Sequence, residues 1–93
     1  MVDPPAHPDL LVVARILEVL APGDRPLKRT QLQMAAGINY TQLERYLALL
    51  QGRGLVTFVP ADDGKTYVAL TTSGYSALGF LRKGIEDIVG ARI

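Results

Sequence analysis

Apolar residues recur at helical spacing in the first part of the chain. Between Asp9 and Leu20, the residues Val12, Val13, Ile16, Val19 and Leu20 fall on one side of a 3.6-residue wheel. Arg15 and Glu18 fall on the other, accompanied by Leu11. This predicts a helix that Asp9 opens, with its carboxylate at the positive end of the dipole, and that Ala21-Pro22-Gly23 stops. Pro26 to Lys28 reads as an extended piece, a short edge strand. A second, short helix is expected from Arg29 or Thr30 to Ala36, with Leu32 and Ala35 or Ala36 turned inward and Gly37 ending it. Asn39 then opens a third helix, and Gln42 three residues later completes a capping-box-like start. Its inward stripe is Leu43, Leu47 and Leu50, with Tyr46 beside it, and Gly54 closes it after Arg53.

The period then changes from helical to alternating. Leu55 to Val59 is rich in β-branched and aromatic residues, Pro60 to Gly64 is turn chemistry, and Thr66 to Leu70 is the return strand, so the segment reads as a hairpin. Thr71 caps a last helix that runs to about Val89. The expected fold is mainly α with a small β-hairpin, in the order α-(β)-α-α-β-β-α: a winged helix-turn-helix. Residues 1–8, with three prolines and a lone His7, form a flexible leader. Residues 9–71 form the core. Residues 72–93 form a C-terminal helix that packs on the core.

Composition narrows the function classes. A chain of 93 residues, 48% hydrophobic, makes one domain with a small core. It has no cysteine, so neither disulfides nor thiolate metal sites brace it. The apolar run that starts at Leu10 is broken by Arg15 and Glu18, far short of the roughly 20 residues that span a bilayer. No basic stretch precedes it, which argues against a signal peptide. A soluble, cytoplasmic protein without a membrane partner is expected. No phosphate-cradling glycine loop or cluster of metal ligands is present. His7 sits in a floppy leader that cannot preorganise a triad, and Asp62 and Asp63 are neighbours in an exposed turn, the wrong setting for acid–base work. No enzymatic activity, cofactor or metal is expected.

Formal net charge is +1, but its distribution is uneven. From Arg25 to Arg53 there are five basic residues against Glu44 alone, a local balance of +4. This is where the two short helices fall. Leu32 and Ala35 are expected to meet Leu43 and Leu47, while Gly37 allows the sharp turn between them. With the leucines inward, Thr41, Arg45 and Ala48 face outward, flanked by Tyr40, Gln42 and Glu44. An outward arginine can donate two bonds to guanine O6 and N7, and a glutamine can pair with adenine, which makes Arg45 and Gln42 candidate base readers. Tyr40, Thr41, Lys28 and Arg29 are candidate phosphate contacts, with Lys65 on the wing. Glu44 opposes them by repelling phosphate.

Two segments carry a resemblance. The run RTQLQMAAGINYTQLERYLALLQGRGLV, Arg29 to Val56, is similar to small archaeal winged-helix transcriptional regulators. So is YVALTTSGYSAL, Tyr67 to Leu78, with its strand-Leu-Thr-x-x-Gly-helix ending. The resemblance covers roughly Val12 to Ile88 and implies a regulator that binds double-stranded DNA with the helix Tyr40–Arg53 in the major groove. The wing departs from the group, carrying Asp62 and Asp63 beside a single Lys65. That acidic tip and the small net charge leave an alternative, a winged-helix module that docks on another protein without binding DNA. In the last helix Leu78, Leu81, Ile85 and Ile88 recur at spacings of three, four and three, a seam suited to pairing. The core is expected to cover Tyr75, Leu78 and Leu81. Ile85, Ile88 and Val89 lie beyond it and, with Leu11, are the expected interface of a homodimer.

Overall fold

The computed structural model describes residues 2–23 and 26–90. Asp24 and Arg25, the latter counted in the charge distribution above, and residues 1 and 91–93 of the two terminal segments lie outside the described residues. Along the chain come α1 (Leu10–Leu20), α2 (Arg29–Ala36), α3 (Tyr40–Gly52), β1 (Val56–Pro60), β2 (Thr66–Leu70) and α4 (Thr72–Val89). This is the order the hydrophobic pattern predicts.

The helices begin where side chains can satisfy their first N–H groups. Asp9 Oδ1 accepts from Leu11 N at 2.8 Å, Asn39 Oδ1 from Gln42 N at 2.8 Å, and Thr71 Oγ1 from Gly74 N at 3.0 Å. Gly37 ends α2 with φ +69°, a left-handed conformation that a side chain would strain, and its N–H reaches back to Gln33 O at 3.0 Å. Arg15 supports the same end by donating from Nη1 to Ala36 O at 3.0 Å, placing a cation at the negative pole of α2.

The core gathers one face from every element. Ile16 and Leu17 of α1, Leu32 of α2, Leu43, Leu47 and Leu50 of α3, Val68 of β2 and Leu78 of α4 are its largest fully buried side chains. Three expectations about facing need correction. On α1 the buried set is Val13, Ala14, Ile16, Leu17 and Leu20, so the face is rotated toward Leu17, and Val12 and Val19 only border the core. On α2 it is Ala36 that is buried, and Ala35 is exposed. On α4 Tyr75 is not covered: its ring is half-exposed and its hydroxyl donates to Ala21 O at 3.2 Å.

β1 and β2 pair antiparallel, with Val56 opposite Leu70 and Phe58 opposite Val68. Leu27 adds a single bridge on the other side of β2, exchanging hydrogen bonds with Val68 at 2.9 and 2.8 Å. Of the short edge strand expected at Pro26–Lys28 only this one bridge forms, and it ties the start of α2 to the wing. At the far end, the first turn of α4 is pressed against the exit of α3. Thr71 donates from Oγ1 to Gly54 O at 2.6 Å and from N to Leu55 O at 3.1 Å. Gly74 packs so closely that an added Cβ would lie 2.1 Å from Leu55 O. Further along, the Arg82 guanidinium pairs with Glu18, joining α4 to α1.

Candidate nucleic-acid interface

α3 is amphipathic, with Leu43, Tyr46, Leu47 and Leu50 buried, so its remaining positions face away from the core. Tyr40, Thr41 and Gln42 are exposed on its first turn, and Arg45 and Glu44 are half-buried one turn further on. The first turn of α2 stands beside it, with the wing on the same side.

These three elements enclose a cleft of about 410 Å³ lined by Lys28, Arg29, Thr30, Tyr40, Gly64, Lys65, Thr66 and Tyr67. Four of the expected contact residues, Lys28, Arg29, Tyr40 and Lys65, therefore share one concavity. Lys28 and Lys65 are exposed there. The Lys28 ammonium stands 5.9 Å from the centre of the Tyr67 ring, a contact that leaves it open to an anion.

Arg29 is placed differently from what its sequence position suggests. Its Nε lies 3.0 Å from Glu44 Oε1, and its Nη1 donates to Thr66 Oγ1 at 2.6 Å and to Thr66 O at 3.3 Å. Its guanidinium carbon stands 4.6 Å from the centre of the Phe58 ring. The side chain thus fastens α2 to α3 and to both strands, and most of its donors are taken. The same pairing answers the concern about Glu44, whose charge is matched by Arg29. Tyr40 leans on this pair as well. Hydrogen bonding toward Glu44 raises its pKa above the ordinary phenol value, with burial adding to the effect and Arg29 opposing it.

The two wing carboxylates also differ. Asp63 Oδ1 accepts from Lys65 N at 3.0 Å and Oδ2 accepts from the Tyr67 hydroxyl at 3.0 Å, so it builds the turn. The Lys65 N–H above all holds its carboxyl below the usual carboxylate range; desolvation opposes it, and the Tyr67 hydroxyl, Lys65 and Lys28 add to the lowering. Asp62 is exposed at the tip.

Arg45 occupies the expected outward position but is occupied in turn. Its Nε donates to Asp3 O at 3.3 Å and its Nη2 to Pro4 O at 3.5 Å. The roles of Phe58, Thr66 and the N-terminal segment were not anticipated. Their partners lie 29 to 42 residues away along the chain, and no periodicity or local motif announces such pairings.

A profile of winged helix-turn-helix proteins matches residues 9–87. The chain belongs to the winged helix-turn-helix family. Among solved structures, a MarR-family transcriptional regulator from Silicibacter pomeroyi is similar to it with a TM-score of 0.74 and 26% identity, over 83% of this chain and 52% of its own. A candidate DNA-binding protein from Ralstonia eutropha JMP134 is similar with a TM-score of 0.65 and 26% identity, over 81% of this chain and 98% of its own. The transcriptional repressor CouR, solved on a 23-mer DNA duplex, has a TM-score of 0.68 at 23% identity, a likeness of fold, over 77% of this chain and 51% of its own. This winged helix-turn-helix chain spans about half the length of the MarR-family structures it matches. No curated protein matches it. Among the described residues no helix is long and apolar enough to cross a membrane.

Proposed function

We propose that this winged helix-turn-helix chain binds duplex DNA sequence-specifically as a small cytoplasmic transcriptional regulator without enzymatic activity, of the kind the archaeal resemblance implies. The observation that carries the reading is the alignment of two surfaces. The outward face of α3 offers Thr41, Gln42 and Arg45 to a major groove, and the cleft beside it offers Lys28 and Lys65 to a phosphate backbone. The test is affinity for a random duplex at a series of salt concentrations. Phosphate-led binding must weaken linearly in log–log form, by about 0.9 per neutralised phosphate. A flat dependence would favour the protein-docking alternative, which the exposed Asp62 and the small net charge support.

The same reading includes a homodimer formed through α4. Phe80, Ile88 and Val89 are 80%, 85% and 69% exposed, and with Leu10, Leu81, Gly84 and Ile85 they line an apolar hollow of about 240 Å³. Leu11, expected in this patch, is exposed on α1, but it is Leu10 that lines the hollow. Ile85 is already half-buried. The occupant we favour is a second copy: the seam repeats along one helix, and a two-fold interface sets the same patch of each copy against the other. Burying each large side chain contributes roughly 1.5–3 kcal/mol, enough for several to outweigh the entropic cost of association. The pairing would carry two recognition helices to half-sites about 34 Å apart.

A further inference from the structure

The N-terminal segment lies along the recognition helix. At one end the Asp9 N–H donates to the Tyr46 hydroxyl at 2.9 Å. At the other, the carbonyls of Asp3 and Pro4 accept from Arg45. Two neighbouring residues of α3 thus hold the two ends of the segment, which bends at Ala6 and His7, and Pro4, Pro5 and Pro8 restrict its backbone on either side of the bend. Pro5 is half-buried, and so is Arg45, although its place on the helix points away from the core.

We propose that residues 2–8 form a latch on the recognition face, which holds Arg45 in the free protein and is displaced when duplex DNA enters. The proposal rests on the DNA-binding reading. The guanidinium edge that holds the two carbonyls, Nε and Nη2, is an edge that can bridge guanine O6 and N7, and it cannot serve both at once. The latch bonds are long and exposed, so they are weak, whereas a bidentate guanine contact is charge-directed and shielded in the groove. Asp3 adds a carboxylate to a surface that must approach phosphates, which favours departure of the segment once DNA arrives. The Asp9–Tyr46 bond lies behind the latch and stays, so the segment swings from Asp9. Closure lowers the apparent affinity in proportion to the fraction of molecules whose latch is open.

The test compares the full chain with Pro4→Gly/Pro5→Gly, which removes the backbone restraint of the two prolines without touching α3. Both are measured on a fluorescein-labelled random duplex at low salt, and again in an Arg45→Ala background. The glycine variant is expected to bind about two- to tenfold more tightly at an unchanged melting temperature, and the gain should vanish with Arg45→Ala. Equal or weaker binding by the glycine variant overturns the latch, and so does a gain that survives Arg45→Ala. A second measurement follows the segment itself. The chain lacks cysteine, so spin labels can be placed at Asp3→Cys and Ser76→Cys alone. The distance between them should move or broaden when the duplex saturates the protein, and an unchanged distance overturns the proposal. Failure to bind any duplex overturns the DNA reading and the latch together, whereas binding with an immobile segment overturns the latch alone.

Discussion

Replacing Arg29 with alanine is expected to damage the fold, whereas replacing its neighbour Lys28 should damage only DNA binding. Arg29 joins Glu44, Thr66 and the Phe58 ring through one guanidinium, and the side chains of the ion pair are 22% and 24% exposed, so water screens them only in part. That burial puts the pair near the upper end of surface values, about 1 kcal/mol. The ring contact adds about 0.5–1 kcal/mol, and the bond to Thr66 about 1 kcal/mol. The three share one side chain and are not fully additive, so the expected loss is about 2 kcal/mol. For a domain of this size the melting temperature should fall by about 8–16 °C. Arg29→Lys keeps the charge but not the fork, and should recover less than half of the loss. Lys28 is exposed and makes only the distant ring contact, so Lys28→Ala should melt within about 2 °C of the parent while lowering the salt slope of duplex binding by about one. Circular dichroism melts and anisotropy titrations at several salt concentrations read both quantities. If Arg29→Ala melts with the parent and lowers the salt slope as Lys28→Ala does, Arg29 is a phosphate ligand and the structural argument fails.

Gly74→Ala should destabilise the protein by about 1–3 kcal/mol, because the added carbon meets backbone that cannot yield, and a melt equal to the parent's would contradict the packing. Ile85→Asp/Ile88→Asp should convert a light-scattering dimer into a monomer of unchanged circular dichroism; a parent already monomeric at micromolar concentration would rule the interface out. Asp62→Asn should raise affinity for random duplex at low salt if the wing lies near phosphate, and no change would place the wing away from DNA. Asp63 should show a pH signature of the opposite kind. Because its folded pKa is depressed, its support of the wing is complete above the unfolded carboxylate pKa and is lost as the pH falls through the lower folded value. The amide resonances of Gly64 and Lys65 should hold steady through the ordinary aspartate range and shift only below it, and Asp63→Ala should abolish that transition.

Local chemistry made most of the fold legible. Asp9, Asn39 and Thr71 cap the helices where a reader of the sequence would put them, and Gly64 turns the hairpin with φ +80° as the Asp-Gly pair suggests. A helical wheel could not decide between Leu17 and Val19, because both are apolar and only the positions of α2, α4 and β2 around α1 settle which side is inside. At the candidate interface, Thr41 and Gln42 stand exposed on the face where periodicity put them. The state of the arginines was not legible. Arg15, Arg29 and Arg45 are each held by partners 15 to 42 residues away, chosen by tertiary geometry, and a long cationic side chain carries no local mark of whether its donors are taken.

The close seating of Gly74 on Leu55 has a mechanical consequence. No slack separates the last helix from the exit of α3, so the pair behaves as a rigid crank, joined at Thr71 and held again by Leu78 in the core and by Arg82 on Glu18. With 18 residues, the arm of that crank is about 27 Å long. A tilt of about 10° in that arm sweeps its tip by about 5 Å, more than the rise of a base pair in duplex DNA. A push on the tip, in the hollow around Phe80, therefore cannot move α4 alone: with Leu78 in the core and Arg82 on Glu18, it carries α1 and α3 along.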